Sequence, residues 1–329
     1  MRVFKISSFV VSAIILSTII FFFVGFSQKQ EVTWGVNFSQ KHATGVGLDW
    51  REVYTALLEE MKVRDFKIAV HWDQLEPEED RFSFEDLDWQ MQRAEEKEAK
   101  VTLIVGMKTP RWPECHVPTW AGEYSKEDQQ QEIREYIEAV VSRYKDSTAL
   151  YAWQVENEPF FDFGSCPWRD TDFLKEEIDI VHSLDSVHPV IITESGEFSL
   201  WNKAASYGDI VGVTLYRKVW FGEFNSYVSY PHTSTTYSRR AQLINTFFGK
   251  DVIGIELQAE PWGPNPWQEM SLEEQSKTMN EARFTNTIEF AERTEISRFY
   301  LWGAEWWYWM KETKGDATMW EKAQELFKP

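Results

Sequence analysis

The stretch Trp153-Gln-Val-Glu-Asn-Glu-Pro159 ends an apolar run with an amide and a carboxylate, Asn157 and Glu158. A second stretch, Val252-Ile-Gly-Ile-Glu-Leu-Gln258, interrupts a similar run with Glu256. Near-continuous apolar runs of this length are typical of parallel strands that are covered on both faces. In barrels built from such strands, reactive side chains gather where the strands end, so these three residues are the first candidates for a functional site.

Short β-branched or apolar runs alternate with longer amphipathic runs along the rest of the chain, which is the pattern of repeated βα units. Eight such units predict an α/β fold, a (β/α)₈ TIM barrel that occupies residues 28–329 as one domain. The predicted strands lie near residues 33–38, 66–72, 101–106, 149–155, 189–193, 209–215, 251–257 and 297–303.

Two of the intervening helices have clear sequence signals. One has a single apolar stripe that is expected to pack on the barrel, formed by Ile133, Tyr136, Ile137, Val140, Val141 and Tyr144. The other follows the seventh strand, where Ser271 and Glu274 match a capping box. A single helix from there to about Arg293 is predicted.

The N-terminal residues 1–27 predict a membrane segment rather than part of the barrel. Arg2 and Lys5 precede a nearly uncharged apolar run from Ile6 to Phe26, which as a helix would span roughly 30 Å of hydrocarbon. An uncleaved transmembrane anchor is favoured over a signal peptide cut near Ser27. The basic N-terminus favours a catalytic domain outside the cytoplasm, membrane-anchored or secreted.

The charge of the chain excludes some partners. The 34 basic and 53 acidic residues give a net charge of −19, which repels nucleic acid and anionic lipid surfaces. The chain also has 17 tryptophans, and tryptophan faces pack well against the C–H surfaces of sugar rings. Core packing is the better expectation for any single aromatic residue, and the candidates for sugar stacking are Trp112, Trp120, Trp262, Trp306 and Trp307.

The only two cysteines, Cys115 and Cys166, fall just after the third and fourth predicted strands. Neighbouring loops at one end of the barrel could bring them together as a disulfide, while two free buried thiols are the alternative. Their separation and the scarcity of nearby histidines argue against a zinc site. We therefore predict neither a metal nor another cofactor.

Glu158 and Glu256 have a chemical use as a pair. Strands four and seven lie across the mouth of an eight-stranded barrel, so the two carboxyl groups could face one cavity. Retaining glycoside hydrolysis requires a nucleophilic carboxylate and a second carboxyl group that first protonates the leaving oxygen and then activates water. We predict Glu256 as the nucleophile and Glu158 as the general acid/base, whose pKa is raised by burial and by the neighbouring charge.

With Asn157 and Glu158 after the fourth predicted strand and Glu256 at the end of the seventh, the sequence resembles clan A of the retaining glycoside hydrolases. This is the barrel superfamily of cellulases, β-mannanases and β-galactosidases. The resemblance extends over residues 33–310 and implies further roles. Asn157 would contact the sugar hydroxyl next to the reacting carbon, Tyr216 would hydrogen-bond the nucleophile, and Trp302 would be a sugar platform. Where the clan often has an arginine that keeps the nucleophile ionised, this chain has Lys67, which has the charge but not the bidentate fork.

Several other candidates have a structural alternative. Glu156 and Glu260 are decoys beside the preferred pair. His71 is as readily a hydrogen-bonded barrel-end histidine as a substrate contact, and His116 is expected to reach substrate from the loop 110–118. Trp112 belongs to the same loop, and two other residues of that loop, Arg111 and Glu114, are expected to pair with each other.

The sequence therefore predicts an O-glycosyl hydrolase that cleaves β-glycosidic bonds of an oligo- or polysaccharide with net retention. Its partners are a carbohydrate substrate and, through the N-terminal helix alone, a membrane. The alternatives are a barrel that binds carbohydrate as a surface receptor after losing catalysis, and a transglycosylase that uses the same residues. The sugar, the linkage, exo or endo action and the oligomeric state are left open.

Overall fold

Eight parallel strands close into a barrel in the computed structural model, which describes residues 17, 21–25 and 28–328. Around the barrel, the first strand pairs with the last as well as with the second, so no edge is left open. The barrel strands are β1 Thr33–Phe38, β2 Asp65–Ala69, β3 Lys100–Val105, β4 Leu150–Val155, β5 Val190–Glu194, β6 Ile210–Leu215, β9 Asp251–Gln258 and β10 Arg298–Trp302.

Each predicted strand overlaps one of these, and the predicted barrel is confirmed. The apolar runs are buried because helices cover the strands outside and side chains fill the barrel inside; in β9, every residue after Asp251 is buried. One addition was not predicted. A two-stranded antiparallel hairpin, β7 Lys218–Phe221 and β8 Ser226–Ser229, follows β6 at the mouth of the barrel.

The helices between the strands pack their apolar stripes on the barrel. They are α1 Gln40–Gly45, α2 Trp50–Glu59, α3 Trp72–Leu75, α4 Glu85–Glu96, α5 Lys126–Tyr144, α6 Thr171–Leu184, α7 Asn202–Tyr207, α8 Ser234–Phe248, α9 Leu272–Ser276, α10 Glu281–Ala291, α11 Ala304–Lys314 and α12 Thr318–Gln324. Short 3₁₀ turns lie at Thr119–Ala121, Gly222–Phe224, Trp267–Glu269 and Glu325–Phe327. The stripe predicted for α5 is buried at all six positions.

The helical segment after β9 differs from its prediction. The Ser271 hydroxyl accepts the backbone N–H of Glu274, as a cap should, but the Glu274 carboxylate binds Lys277 and Tyr227 instead of completing the box. The helix ends at Ser276, and a new one begins with Asn280 as its own cap. A single helix to Arg293 was therefore wrong, because a second local cap outcompeted continuation.

The predicted N-terminal anchor lies largely outside the described residues, since of 1–27 only 17 and 21–25 are described. Within the described part of the chain, no helix is both long and apolar enough to cross a membrane. The anchor and the domain boundary after residue 27 stay predictions.

A glycine in β9 makes a close contact that the barrel wall requires. Gly254 lies opposite Phe299 of β10, and a Cβ placed there would sit 1.9 Å from the Phe299 ring. Phe299 is fully buried and cannot swing away. We expect Gly254→Ala to lower the free energy of unfolding by about 3 kcal/mol through overpacking, measured by urea denaturation.

Gly45→Ala is the matched control, because the Cβ that it would add at the end of α1 has no described atom within 4 Å apart from its chain neighbours and its own helix backbone. Its free energy of unfolding should stay level or rise by up to about 1 kcal/mol. Equal stability of the two variants would contradict the packing argument.

Candidate active site

Glu158 and Glu256 lie at the same mouth of the barrel. Glu158 follows β4 with a positive φ of 42°, and its backbone N–H donates to the Thr193 hydroxyl at 2.7 Å. Glu256 lies within β9 and is buried. Burial and the nearby Glu256 carboxylate raise the pKa of Glu158 well above its usual range. The two groups therefore interact, and both burial and the Glu256 charge favour the protonated form of Glu158.

The two carboxylate oxygens of Glu256 have different environments. Oε2 accepts a hydrogen bond of 2.8 Å from the Tyr216 hydroxyl. Oε1 is buried and accepts no hydrogen bond from any residue that the structure describes. Burial raises the pKa of Glu256, and the Lys67 charge and the Tyr216 hydrogen bond oppose that rise. One oxygen is thus held in place by Tyr216, while the other is buried opposite the Lys67 charge.

Lys67 is the cation that faces this carboxylate. Its side chain projects from β2, is 1% exposed, and places Nζ 3.8 Å from Oε1 of Glu256. Nζ also donates a long hydrogen bond, 3.4 Å, to the Ile255 carbonyl. Burial lowers the pKa of Lys67 to about 8, although the Glu256 charge acts against this, so the amine is mostly charged at neutral pH. Lys67 makes a single charge contact with the Glu256 carboxylate, whereas an arginine could donate two parallel hydrogen bonds to it.

Asn157 is oriented by a carboxyl group that the sequence analysis did not assign to the site. The Asn157 Nδ2 donates to Oε2 of Glu114 at 3.0 Å, and the Asn157 backbone N–H donates to the Lys108 carbonyl at 2.7 Å. The side chains of Asn157 and Glu114 are both buried. Burial, and secondly the Glu256 charge, raise the pKa of Glu114 to about 8. Glu114 is therefore mostly uncharged at neutral pH and positions Asn157 through its oxygen.

The loop that carries Glu114 is fixed to the loop after β4. Glu114 has a positive φ of 73°, and Gly164 passes so close that a Cβ on this glycine would lie 2.5 Å from the Glu114 Cβ. At the next position, Cys115 forms a disulfide with Cys166. Of the two open expectations for the cysteines, the structure has the disulfide. Glu114 directly precedes Cys115 in the sequence, and this position was the signal that could have identified it as a site residue.

The two decoys have structural partners. Glu156 accepts the backbone N–H groups of Met107 and Lys108 at 2.7 and 2.8 Å, and so ties the end of β4 to the loop after β3. Burial raises the pKa of Glu156 to about 7, and the backbone N–H groups and the buried Glu177 oppose that rise. Glu260 binds the guanidinium of Arg111.

Arg111 does not pair with Glu114 as expected. Its guanidinium donates to Glu260 at 2.5 Å and to Glu305 at 2.9 Å, because those buried carboxylates project from the segments after β9 and β10 towards it. It also lies 4.1 Å above the ring of Trp302, which is only 7% exposed. The predicted sugar platform is thus covered on that face, and the cavity between Arg111, Trp302 and Lys67 measures only about 10 Å³.

A larger cleft of about 460 Å³ lies at the opposite end of the barrel, among the strand starts. It is lined by residues such as Thr33, Ile210, Asp251 and Arg298 and contains none of the predicted site residues. In barrels of this kind the chemistry belongs to the carboxyl ends of the strands, so the mouth remains the candidate site.

His71 and His116 are buried side by side, with ring centres 4.0 Å apart. The His71 nitrogens contact the hydroxyls of Ser39 and Thr109, and those of His116 contact the Lys41 amine and the Arg111 carbonyl. Burial lowers both pKa values, that of His116 to about 3, so both rings are neutral. With all four nitrogens engaged, the contacts support a loop-holding role over substrate contact.

Trp112 is the predicted site residue that is most open to solvent. It is 69% exposed at the tip of the loop after β3, and its ring packs against Phe163 at 6.2 Å. Trp306 and Trp307, by contrast, are buried in α11 and belong to the core.

Comparisons with known proteins point to one class. Residues 35–177 match the model of glycosyl hydrolase family 10. A probable mannan endo-1,4-beta-mannosidase A-1 of Aspergillus terreus is 41% identical over 73 residues, 22% of this chain and 19% of that protein. A mannan endo-1,4-beta-mannosidase A of Hypocrea jecorina is 29% identical over 154 residues, 45% of this chain and 27% of that protein. The chain thus spans well under half of these relatives.

A solved structure has a similar fold. Xylanase 10B from Thermotoga petrophila, solved in complex with xylobiose, superposes with a TM-score of 0.57 at 14% identity and covers 92% of this chain and 98% of that one. The resemblance to clan A of the glycoside hydrolases is confirmed. The matched family and the two named mannosidases are glycoside hydrolases, which is the enzyme class that Glu158 and Glu256 predict.

The charge contact between Lys67 and Glu256 makes a prediction about pH. Lys67→Met removes the positive charge that lowers the pKa of Glu256, so this pKa should rise. Ionised Glu256 is then reached only at higher pH, and the acidic limb of the kcat/KM profile for a β-glycoside should move to higher pH. Lys62→Met, at an exposed position, is the control and should leave the profile in place. An unchanged acidic limb in Lys67→Met would contradict the contact.

Glu114 gives a second prediction. Glu114→Gln keeps an oxygen for Asn157 and removes little charge, because the carboxyl group is mostly protonated at pH 7, so kcat/KM should stay within about threefold of wild type. Glu114→Ala leaves the buried Asn157 amide without its acceptor and should lower kcat/KM about tenfold or more.

Unfolding midpoints of both Glu114 variants serve as the control for a purely structural effect. Rescue by glutamine but not by alanine, at matched stability, is the signature of a positioning residue. Equal loss in both variants, or none in either, would refute that role.

Proposed function

We propose that this protein is a retaining β-glycoside hydrolase in which Glu256 is the nucleophile and Glu158 the general acid/base. The observation that carries the proposal is the asymmetry of the carboxyl pair. Glu256 has one oxygen fixed by Tyr216 and one buried oxygen without a hydrogen-bond partner among the described residues, opposite Lys67. Glu158 is the carboxyl group whose pKa is raised the further of the two.

In the first step, Oε1 of Glu256 attacks the anomeric carbon of the sugar, and the glycosidic bond breaks. Protonated Glu158 gives its proton to the leaving oxygen, so a covalent glycosyl-enzyme forms and the leaving portion departs as an alcohol. Formation of that bond removes the negative charge of Glu256, which lowers the pKa of Glu158 and readies it for its second task.

In the second step, ionised Glu158 takes a proton from water while the water oxygen attacks the same anomeric carbon. The bond to Glu256 breaks, and the sugar leaves with its original configuration. Asn157, oriented by Glu114, hydrogen-bonds the hydroxyl next to the reacting carbon in both steps. Because both carboxyl groups lie at the barrel mouth with Tyr216 and Lys67, the observations favour catalysis over a barrel that only binds sugar.

The names of the matched relatives support a substrate class. Two of them are named as mannan endo-1,4-beta-mannosidases, and the superposed xylanase was solved with xylobiose. The substrate that we propose is a β-1,4-linked chain of mannose or xylose that is cleaved internally. A screen of aryl β-glycosides and of β-1,4-linked oligosaccharides of mannose, xylose and glucose identifies the sugar.

The place of action is outside the cytoplasm, with residues 1–27 as anchor or signal. Arg2 and Lys5 before the apolar run support this orientation. The disulfide between Cys115 and Cys166 adds a second argument, since such bonds persist in oxidising compartments.

The direct test replaces each catalytic carboxyl group by an amide. Glu158→Gln and Glu256→Gln should each lower kcat on the identified substrate by at least about 100-fold, because one loses proton transfer and the other the covalent step. Glu273→Gln, on the exposed face of α9, is the control and should keep wild-type activity. NMR of the first-formed product should show the starting anomer. Activity retained in both variants, or inversion of the anomer, would refute the proposal.

A further inference from the structure

Glu197 is a buried carboxyl group near the mouth of the barrel that takes no part in the two hydrolytic steps. It lies three residues after the end of β5 and is only 7% exposed. A carboxyl group is costly to bury unless hydrogen-bond donors surround it. The partners of Glu197 therefore show which part of the structure this group holds in place.

Both carboxylate oxygens of Glu197 accept hydrogen bonds. Oε1 accepts the backbone N–H of Tyr216 at 2.7 Å and the hydroxyl of Tyr237 at 3.0 Å. Oε2 accepts the hydroxyls of Thr214 at 2.9 Å and Ser195 at 3.4 Å. Burial raises the pKa of Glu197, and these hydrogen bonds, that of the Tyr216 N–H first, oppose the rise. The shortest contact is the one to the Tyr216 backbone.

The backbone that carries Glu197 is itself pressed against β6. The Gly196 N–H donates to the Thr214 hydroxyl at 2.9 Å, and a Cβ on Gly196 would lie 1.8 Å from the Thr214 carbonyl oxygen. The Arg240 guanidinium, from α8, donates to the Gly196 carbonyl at 2.8 Å. A ring nitrogen of His232 contacts the Glu197 carbonyl at 3.0 Å. The Glu197 carboxyl group therefore extends from a fixed backbone.

Tyr216 connects Glu197 to Glu256. It directly follows β6, its backbone N–H donates to Glu197, and its hydroxyl donates to Oε2 of Glu256 at 2.8 Å. Hydrogen bonds weaken steeply when their length or angle departs from the optimum. A displaced Tyr216 backbone would therefore carry the hydroxyl away from the Glu256 carboxylate.

The Tyr216 hydroxyl also acts on the protonation of Glu256. Burial raises the pKa of Glu256, and four groups oppose that rise. In decreasing order, they are the charge of Lys67, the hydrogen bond from Tyr216, and the charges of Arg111 and Lys108. Loss of the hydrogen bond from Tyr216 would therefore favour the protonated form of Glu256, which cannot act as a nucleophile.

We propose that Glu197 is a positioning residue, which holds the Tyr216 backbone so that the Tyr216 hydroxyl stays on Oε2 of Glu256. The inference rests on the proposed function for the role of Glu256 as nucleophile. Glu197 acts on the chemistry through Tyr216, and it thereby orients the nucleophile and supports its ionised form. The loop after β5 thus takes part in the site although it supplies no group to the reacting atoms.

The test is a double-mutant cycle between Glu197 and Tyr216. Glu197→Ala and Tyr216→Phe should each lower kcat/KM on a β-glycoside by about tenfold, because each removes the hydroxyl from its place on Glu256. The double variant should fall less than about threefold below Tyr216→Phe, whereas independent sites would give a further factor of about ten.

The pH profile gives a second readout of the same cycle. Glu197→Ala and Tyr216→Phe should both move the acidic limb of kcat/KM to higher pH, because the pKa of Glu256 rises, and the double variant should move it no further. Loss of the negative charge of Glu197 by itself would move this limb the other way. The rise in pKa should also appear in NMR of the isotope-labelled Glu256 carboxyl group, which needs no turnover.

Two conservative variants keep the test valid if alanine disrupts folding. Glu197→Gln retains an oxygen that can accept the Tyr216 N–H, so its kcat/KM should stay within about threefold of wild type. Glu197→Asp keeps the charge but withdraws the carboxylate by one methylene group, and it should behave like Glu197→Ala in the cycle. Unfolding midpoints of all the variants are measured alongside.

Glu194→Ala is the matched control. This carboxyl group is also buried at the end of β5 and also accepts a backbone N–H, that of Ala204 in α7 at 3.0 Å. Its removal should leave kcat/KM within about threefold of wild type and the acidic limb in place, because its contact is with α7 and not with Tyr216.

Additive losses in the cycle, an acidic limb that stays in place in Glu197→Ala, or an equal loss in Glu194→Ala would overturn the inference. The outcome is separable from that of the proposed function. If Glu256→Gln kept its activity, the catalytic assignment would fail, while NMR would still report whether Glu197 acts on Glu256 through Tyr216. If Glu256→Gln were inactive and the cycle additive, the positioning role alone would be refuted.

Discussion

Closure of the barrel is the constraint on which the rest of the structure depends. The pairing of β1 with both β2 and β10 leaves no free edge, and because every neighbouring pair in the barrel is parallel, all eight strands end at one mouth. Side chains that are distant in sequence, on β2, β4, β6 and β9, therefore converge without long loops. Close contacts such as Gly254 against Phe299 are the cost of that closure, because the wall has no room for another methyl group.

Convergence at the mouth concentrates charge in a poorly solvated space, and the charged groups regulate one another there. Burial would neutralise Glu256, but the Lys67 charge and the Tyr216 hydroxyl favour its ionised form. Burial, and secondly the Glu256 charge, raise the pKa of Glu158 and of Glu114. One buried cation thus favours the ionised form of Glu256 while burial favours the protonated form of its neighbours, which is the division of tasks that acid/base and nucleophilic roles require.

The sequence predicted what depends on local pattern and failed where partners come from elsewhere. Apolar runs located all eight strands, and the α5 stripe located its buried face, because both are short-range consequences of burial. Arg111 was assigned to Glu114, three residues away, but its partners are 149 and 194 residues distant. The helix after Ser271 was drawn too long, since a competing cap at Asn280 has no periodic signal.

The sequence by itself determined the barrel and its strand order, and it singled out one glutamate on each of the fourth and seventh barrel strands. Both inferences depend on short stretches of sequence, namely the apolar runs and the polar residues that interrupt or end them. Only the tertiary structure decided that Glu114 holds Asn157 and that Arg111 covers Trp302. These contacts join residues from different βα units, and their geometry exists only once closure of the barrel has brought the loops to the same mouth.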